Sequence, residues 1–234
     1  MRVVSLVPSA TETLRAWGVD PVAVTRFCEQ PDLPTVGGTK NPDIEAIAAL
    51  RPDLVVLDRE ENRREDAEAL AAAGIPLHVL HITGVEDVEE ALDGMARAVG
   101  AEEVEKGAVT PAPPARPAVP VWVPIWRRPW MAIGNGTYGA SLLAAAGFQV
   151  RAGGDGRYPE EDLRRVAALG VSFVLAPSEP YPFKERHRRE LEVVAPVEMV
   201  DGKDLFWWGV RTPAALARLR VLGEALRARA AAGR

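Results

Sequence analysis

The sequence predicts an α/β protein made of two similar lobes, each built around a parallel β-sheet. The main observation is an internal repeat: residues 44–60 read IEAIAALRPDLVVLDRE, and residues 163–179, 119 positions later, read LRRVAALGVSFVLAPSE. Each copy has apolar residues at helical spacing, then a short break, then four apolar residues rich in β-formers. The order of elements around the first copy, βαβαβ, favours a parallel sheet with helices on both faces. Because clefts between lobes often hold small molecules, the duplication favours a two-lobed binding protein.

Composition and charge agree with this fold class and exclude others. The 234 residues are enough for two lobes of about 100 residues each. The net charge is -5 and the basic residues are scattered along the chain, which disfavours a nucleic-acid-binding role. Cys28 is the only cysteine, so an intrachain disulfide and a cysteine-based metal cluster are both excluded.

The start of the chain, MRVVSLVPSATE, indicates a first core strand that runs into a turn, without the features of a secretory signal. No apolar run approaches the roughly 20 residues that span a bilayer. As the chain stands, this pattern predicts a cytoplasmic protein without membrane insertion. An extracytoplasmic protein whose leader has been removed is the alternative.

The first lobe is predicted to cover residues 1–84. Its elements are a strand at 3–7, a helix at 11–17 capped by Ser9 and ended by Gly18, a strand at 22–25, an irregular loop at 26–41, the first repeat copy, a charged helix at 62–73 and a strand at 76–82. Residues 85–120 are predicted to connect the lobes. An amphipathic helix at 85–101 is followed by VTPAPPARPAVP at 109–120, whose five prolines favour an extended polyproline segment.

The second lobe is predicted to cover residues 121–234. Its elements are a strand at 121–125, a loop at 126–130, a strand at 131–133, a turn at 134–136, a helix that ends at Ala146, the second repeat copy, a charged helix at 184–193, a strand at 197–200, a loop at 206–208 and a long helix from Pro213 capped by Thr212.

Tryptophans are concentrated in this second lobe. Four of them, Trp126, Trp130, Trp207 and Trp208, are predicted to lie in loops at strand ends, where parallel sheets bind ligands. The wide rigid face of an indole suits a large flat or apolar ligand. Packing into the core is the alternative for any single tryptophan, whereas the two loops together favour a cleft.

Evidence for catalysis is thin, so we expect a protein that is not an enzyme and has no metal site of its own. His78 and His81 are three apart in a predicted strand, so they point to opposite faces and cannot share a metal. Residues 134–139, GNGTYG, match a dinucleotide-binding fingerprint, with Asp155 as the acid that follows. An NAD-dependent enzyme is therefore an alternative, although the preceding strand is short and Asp155 lies in a GGDG turn.

Two acids occupy equivalent positions in the repeat. Glu60 and Glu179 each follow directly after the predicted strand of their copy. Such a matched pair could dock onto arginines of a two-fold symmetric partner. The alternative is that both are solvated loop residues or acids favoured by a helix N-terminus.

Several stretches together resemble the substrate-binding proteins of vitamin B12 and iron-siderophore ABC importers, most closely the cobalamin-binding branch. They cover almost the whole chain: VVSLVPSATETLRAWG, VTRFCEQP, VGGTKNPDIEAIAALRPDLVVLDREEN, IWRRPWMAIGNGTYGASLLAAAG, RYPEEDLRRVAALG and WWGVRTPAAL. The resemblance implies the class III fold of periplasmic binding proteins, with two α/β lobes joined by one rigid helix. It also implies a ligand clamped in the cleft, and acids on each lobe that meet arginines of an ABC permease.

The resemblance also implies which residues bind the ligand. In the first lobe they are Ser9, Phe27, Cys28, Gly38 and Thr39, and in the second lobe Trp126, Arg127, Trp130, Tyr158, Trp207 and Trp208. Glu65 or Glu185 could serve as docking acids in place of Glu60 or Glu179. Here the connecting helix is shorter than in the family, and the proline-rich stretch takes its second half.

The expected function is therefore non-enzymatic binding of a corrinoid such as cobalamin, or of a similar large metal chelate, for ABC-type import. A corrin ring is broad and apolar in the middle and carries amides at its margin, which suits stacked aromatic side chains with a few hydrogen-bonding groups. The alternatives are the NAD-dependent enzyme and a cytosolic carrier that has lost transport.

Overall fold

The computed structural model describes residues 1–101, 104, 109 and 117–232, and its contacts divide the chain into two compact units. Unit 1 comprises Met1–Ile82, Asp87–Ala108 and Trp208–Arg211, and unit 2 comprises Thr83–Glu86, Val109–Trp207 and Thr212–Arg234. Each unit contains a four-stranded, fully parallel sheet together with helices. The predicted α/β class with parallel sheets is confirmed.

Unit 1 is built on a sheet with the strand order β2-β1-β5-β6. Its strands are β1 (Val3–Ser5), β2 (Ala23–Val24), β3 (Gly37–Gly38), β4 (Asn41–Pro42), β5 (Leu54–Asp58) and β6 (Leu77–Leu80), of which β3 and β4 form a separate antiparallel pair. Its helices are α1 (Pro8–Ala16), α2 (Ile44–Ala49), α3 (Arg64–Ala72) and α4 (Val88–Val99), the last preceded by a 3₁₀ turn at Val85–Asp87. The core around the sheet includes Val4, Ile47, Val55 and Leu70.

Unit 2 repeats this arrangement with the strand order β10-β7-β12-β13 and adds a three-stranded antiparallel sheet, β11-β9-β8. Its strands are β7 (Val119–Trp122), β8 (Pro124–Trp126), β9 (Trp130–Ala132), β10 (Phe148–Val150), β11 (Glu160–Glu161), β12 (Phe173–Pro177) and β13 (Val197–Val200). Its helices are α5 (Tyr138–Ala145), α6 (Leu163–Ala167), α7 (Arg188–Leu191), α8 (Gly202–Phe206) and α9 (Thr212–Ala232), with a 3₁₀ turn at Glu185–His187.

The internal repeat of the sequence corresponds to equivalent elements in the two units. Helices α2 and α6 begin 119 positions apart, and so do the central strands β5 and β12. The residues before the two helices, Asp43 and Asp162, are N-caps at the same spacing. The Asp43 carboxylate accepts the N–H of Ala46 at 2.9 Å, and that of Asp162 accepts two N–H groups at 3.0 Å. Helices of six and five residues depend strongly on such caps, because they form few hydrogen bonds of their own.

Several predicted elements differ from the structure at their ends. Helix α1 begins at Pro8, so Ser9 lies inside its first turn and does not cap it. Proline suits this first position because its missing N–H would have no helical partner there. The predicted strand at 121–125 is two strands in different sheets, which separate near Pro124, a residue that cannot donate to a ladder. Strand β10 and helix α8 were not predicted, since three and five residues are too short for a periodic pattern.

Two predictions concern how the units are connected. Of the proline-rich stretch at 109–120, residues 110–116 lie outside the described residues, and β7 already begins at Val119. The sequence analysis assigned Trp208 to the second lobe, whereas Trp208–Arg211 belong to unit 1. Within that unit, Arg211 forms two hydrogen bonds with the Glu12 carboxylate, at 2.6 and 2.9 Å. The predicted lobe boundaries at residues 84 and 120 stay predictions.

None of the helices in the described part of the chain has both the length and the apolar composition needed to cross a membrane. Helix α9 has the length, at 21 residues, but it carries several arginines.

The capping aspartates provide a test of the repeat. Asp162→Ala is expected to lower the free energy of unfolding by about 1 kcal/mol, because two N–H groups at the start of α6 lose their acceptor. The measurement is the denaturant midpoint of each variant. Asp155→Ala, at an exposed turn position in the same unit, is the matched control and should change stability by less than about 0.5 kcal/mol. Equal midpoints for the two variants would show that the cap does not stabilise α6.

Candidate functional site

Ser9, Phe27 and Cys28 follow the carboxyl ends of parallel strands of unit 1, whereas Gly38 and Thr39 belong to the antiparallel hairpin of β3 and β4. Asn62 connects the segments after β1 and β3 with the end of β5. The Asn62 side-chain oxygen accepts the N–H of Asp58 at 2.9 Å. Its amide nitrogen donates to the carbonyl of Leu6 at 3.3 Å and to that of Thr39 at 2.9 Å. The segments after β1, β3 and β5 are thereby held at one edge of the sheet. From the sequence alone Asn62 is predicted only as the start of a helix, since hydrogen bonds to Leu6 and Thr39 leave no local pattern.

Phe27 and Cys28, which follow β2, have opposite surroundings. The Cys28 thiol is 1% exposed and lies 3.2 Å from each of the hydroxyl groups of Thr11 and Thr25. Burial raises the pKa of this thiol, which keeps it protonated and unreactive at neutral pH. The Phe27 ring is 50% exposed, and the guanidinium of Arg26 lies over it at 4.8 Å. Phe27 is therefore the member of the pair that can contact a ligand.

Ser9, Gly38 and Thr39 are all part of the same edge but are not open to solvent. Ser9 is 5% exposed and Thr39 is 8% exposed. A Cβ on Gly38 would lie 2.6 Å from the side-chain oxygen of Asn41, so the glycine is required by the packing of its own hairpin. Ser9, Gly38 and Thr39 shape this edge chiefly through their small size.

Asp58, the last residue of β5, is a buried acid that the sequence analysis missed. It is 1% exposed, and its Oδ1 accepts the N–H groups of Glu60 at 2.7 Å and of Glu61 at 3.3 Å. Its Oδ2 has no hydrogen-bond partner within the described residues. Burial, together with the nearby acids Glu60 and Glu61, raises the pKa of Asp58 to about 7, although the two N–H groups oppose the shift.

Unit 2 presents an aromatic cluster that runs from its core to its surface. The cluster consists of Trp122, Trp126, Trp130, Tyr181, Phe183 and His187. Trp122 is fully buried, Trp130 is partly buried, and Trp126 is 46% exposed. A ligand can therefore reach the outer rings, while the inner rings hold them in place.

The ring contacts of the cluster are close. Trp130 stacks on Phe183 with ring centroids 6.1 Å apart and planes inclined by 6°. Tyr181 lies 4.7 Å from Phe183 and contacts Trp126 edge-on at 5.7 Å. Trp126 and Trp130 are the terminal residues of β8 and β9, so the prediction that they lie in a loop was wrong by one position each. Such offset and edge-on pairs stabilise one another and fix the orientation of each ring.

Polar groups at the edge of the cluster are also held in place. Arg127 forms an ion pair with Glu190 at 2.8 Å and hydrogen-bonds Tyr181. The backbone N–H of Lys184 donates to Nδ1 of His187 at 3.0 Å. Burial, and the positive charges of Arg186 and Arg127, lower the pKa of His187, so this imidazole is neutral at physiological pH.

The remaining aromatic residues of the prediction lie in other segments. Tyr158 is 42% exposed, with the guanidinium of Arg157 at 5.8 Å from its ring. Trp207 lies under the ammonium group of Lys203 at 4.9 Å. Trp208 is 5% exposed and belongs to unit 1, so the FWW segment is divided between the two units. The structure thus groups Trp126, Arg127 and Trp130 in unit 2 and assigns Trp208 to unit 1.

The glycines of GNGTYG serve the packing of unit 2 itself. The N–H of Gly134 donates to the carbonyl of Arg157 at 2.7 Å, and a Cβ on Gly134 would lie 2.3 Å from the carbonyl oxygen of Gly156. Thr137 caps α5 through its side chain. The first glycine of a dinucleotide fingerprint serves the tight turn, and at Gly134 the missing side chain lets the backbone of Gly156 approach closely.

The two acids proposed for docking lie in firmly held loops. The N–H of Glu60 donates to Asp58, and its carbonyl accepts from the Lys40 ammonium group at 2.6 Å. A Cβ on Gly202 would lie 2.4 Å from Cγ of Glu179, so Glu179 packs directly against that glycine. Both glutamates are partly exposed. Of the alternatives, Glu65 is an exposed acid in the first turn of α3, and Glu185 is paired with Arg188, which lowers its pKa.

The described ranges of the chain contain no group of three or more His, Cys, Asp or Glu side chains that could hold a metal ion. Unit 2 therefore offers aromatic faces with hydrogen-bonding groups fixed at their edges, and unit 1 offers the exposed Phe27 ring and the buried acid Asp58.

Comparisons with known proteins place this geometry in context. Residues 3–161 match the family described as Periplasmic binding protein. A segment of 102 residues, 41% of this chain, is 34% identical to the vitamin B12-binding protein of Yersinia pestis (strain Pestoides F). The matched segment covers 36% of the length of that curated relative.

Solved structures resemble the fold over nearly the whole chain. The periplasmic vitamin B12-binding protein BtuF of Vibrio cholerae aligns with a TM-score of 0.78, 15% identity and coverage of 97% of both chains. The periplasmic heme-binding protein HutB of Vibrio cholerae aligns with a TM-score of 0.77 and 20% identity, covering 95% of this chain and 98% of that one. The periplasmic heme-binding protein BhuT, in complex with two hemes, aligns with a TM-score of 0.76 and 21% identity. The alignment covers 96% of this chain and 98% of that one. At these identities the likeness establishes the fold.

The buried acid gives a prediction about stability and pH. The pKa of Asp58 is about 7 in the folded chain and 3.8 as the ordinary value, so the folded state binds the proton more tightly. The contribution of Asp58 to the free energy of unfolding is therefore greatest below about pH 4. It falls by a few kcal/mol as the pH rises from about 4 to 7. Asp58→Asn keeps one acceptor oxygen for the two N–H groups and carries no charge. We therefore expect its stability relative to wild type to increase from pH 5 to pH 8.

Urea unfolding of both proteins at the two pH values measures this difference. Asp155→Asn is the control, because an exposed aspartate should give the same difference at both values. A difference for Asp58→Asn that does not change between pH 5 and pH 8 would contradict the raised pKa.

Proposed function

Because the chain belongs to the periplasmic binding protein family, as its motifs predicted, we propose that it binds a corrinoid such as cobalamin, or a similar large metal chelate, and delivers it to an ABC importer. The main support is the aromatic cluster of unit 2, whose rings pass from the buried Trp122 to the exposed Trp126. A rigid, partly exposed aromatic surface suits a broad, flat ligand, because little side-chain entropy is lost when the ligand stacks on it.

The ligand class rests on both the chemistry of the site and the relatives. The vitamin B12-binding relatives and the heme-binding structures share large, flat, metal-containing ligands. Fixed polar groups border the rings here, in particular Arg127 with Glu190. Such groups can hydrogen-bond the amides at the margin of a corrin, whereas a heme presents carboxylates at two positions only. We favour a corrinoid for this reason and because the curated relatives bind vitamin B12.

An enzymatic role has less support. The GNGTYG turn, which suggested NAD binding, follows a strand of only three residues, and its first glycine packs against the backbone of Gly156. The family and the structural relatives are binding proteins. A periplasmic or other extracytoplasmic location agrees with the family and is preferred to the cytoplasmic one.

Delivery to a permease is proposed to involve Glu60 and Glu179. They occupy equivalent positions after the central strands of the two units, and each lies in a loop held by backbone contacts. A fixed acid loses little freedom when it pairs with an arginine of a partner, so the pairs would orient the complex.

Removal of the exposed ring tests ligand binding. Trp126→Ala is expected to weaken cobalamin binding about tenfold, since it removes about 1.4 kcal/mol of stacking and apolar contact. Isothermal titration calorimetry gives the dissociation constant. Val193→Ala, which truncates another exposed apolar residue of unit 2, is the control and should leave it unchanged. If cobalamin, heme and a ferric siderophore all give no heat at high micromolar concentration, the proposal is wrong.

Neutralising the two acids tests docking separately. The double variant Glu60→Gln, Glu179→Gln is expected to slow association with a reconstituted ABC permease about tenfold and to weaken its dependence on salt. Cobalamin affinity should not change, and Glu89→Gln, an exposed acid on α4, should associate like the wild type. The permease to use is one encoded beside this chain. Association at the wild-type rate would assign docking to other residues, with Glu65 and Glu185 the next to test.

A further inference from the structure

Unit 1 contains a cavity of about 480 Å³ that none of the predicted site residues lines. It lies at the end of β5, against the loop to α3, the start of α3 and the edge strand β6. The lining residues are Leu57, Asp58, Arg59, Asn62, Arg63, Arg64, Ala67 and Val79. This volume is within the range of small-molecule sites, about 300 to 1,000 Å³.

Positive charge dominates the rim of this cavity. Arg63 and Arg64 are paired with Asp66 and Glu68, at 3.0 and 2.7 Å, but neither of these acids lines the cavity. The Arg59 side chain has no ion pair or hydrogen bond with any residue that the structure describes. Three guanidinium groups therefore border a cavity whose only lining acid is Asp58.

Part of the cavity lining is apolar. Leu57 and Ala67 contribute aliphatic surface, and the Val79 side chain on the edge strand is 46% exposed. Both N–H groups of the Asn62 amide are used by hydrogen bonds within unit 1. The lining thus combines guanidinium groups with aliphatic surface.

We propose that this cavity binds a small organic anion, a carboxylate or phosphate group carried on a short apolar body. The anionic group would lie among the guanidinium groups of Arg59, Arg63 and Arg64, whose planar donors match carboxylate and phosphate oxygens. The apolar body would lie on Leu57 and Val79. The unpaired Arg59 supports this most directly, because an anion would give its guanidinium the partner that it lacks.

Hexanoate is a suitable probe, with hexanol as its neutral counterpart and acetate as its short one. Calorimetric titration of the full chain is expected to show hexanoate binding at millimolar concentration, at least about tenfold tighter than either hexanol or acetate. Equal binding of hexanol would show an apolar cavity without anion recognition. The absence of hexanoate binding, or acetate that binds as tightly as hexanoate, would also overturn the proposal.

Variants locate the binding in this cavity. Arg59→Gln removes one rim charge without breaking an ion pair and should weaken hexanoate binding about tenfold. Arg97→Gln, an exposed arginine on α4 of the same unit, is the matched control and should bind as the wild type does. Asp58→Asn removes the only acid of the lining and should strengthen binding severalfold. If Arg59→Gln binds hexanoate like the wild type, the anion is bound elsewhere and the assignment fails.

The inference does not depend on the proposed function, and the two can fail separately. Trp126→Ala should weaken cobalamin binding but leave hexanoate binding intact, whereas Arg59→Gln should do the reverse. If Arg59→Gln weakened both ligands alike, the cavity would be part of the cobalamin site and would not be a separate one.

Discussion

Parallel pairing of a first strand with a central strand determines where the functional side chains of each unit can lie. In unit 1, β1 pairs with β5 in the register Val4 to Val55, and in unit 2, β7 pairs with β12 in the register Val121 to Phe173. Because the strands of each pair run in the same direction, the segments that follow them emerge at one edge of the sheet. The Asn62 hydrogen bonds of unit 1 and the Trp130–Phe183 stack of unit 2 both join segments that follow such strands.

The two units use the same edge with different chemistry. In unit 1 the segments after β1 and β5 are joined by a polar group, the Asn62 amide, which binds both and is itself buried. In unit 2 the corresponding segments are joined by aromatic rings, since Trp130 stacks on Phe183. Directional hydrogen bonds fix backbone positions in the first case, and large rigid faces fill space in the second. One duplicated scaffold thus supplies a polar surface and an aromatic one.

Features that depend on neighbouring residues could be predicted from the sequence. Features that depend on contacts between distant segments could not. The helix–strand repeat was predictable because apolar spacing and capping aspartates such as Asp43 and Asp162 act over a few residues. The partners of Trp126 and Trp130 were not, since Tyr181 and Phe183 lie more than fifty positions away and nothing in the sequence indicates that their loop folds back. The signal that could have found them is the aromatic pair just after the second repeat copy, at the positions that correspond to Asn62 and Arg64 after the first.

The buried carboxylate of Asp58 shows why charge is hard to place from sequence alone. An aspartate at the end of a strand usually faces water, and the pattern LVVLDRE gives no reason to expect otherwise. Its position becomes intelligible only from the fold, where one oxygen accepts the N–H groups of Glu60 and Glu61 and so shapes the loop that carries Glu60, the acid proposed for docking.

The free-energy cost of burying that carboxylate is therefore linked to the geometry of the loop that carries Glu60. A neutral residue at position 58 would remove the desolvation penalty, but one without an acceptor oxygen would leave two N–H groups unpaired at the turn. Natural proteins tend to retain such local conflicts where function requires a fixed conformation. Asp58 thus takes part in two features of unit 1. It accepts the N–H of Glu60, and its carboxyl group lines the neighbouring cavity beside Arg59, Arg63 and Arg64.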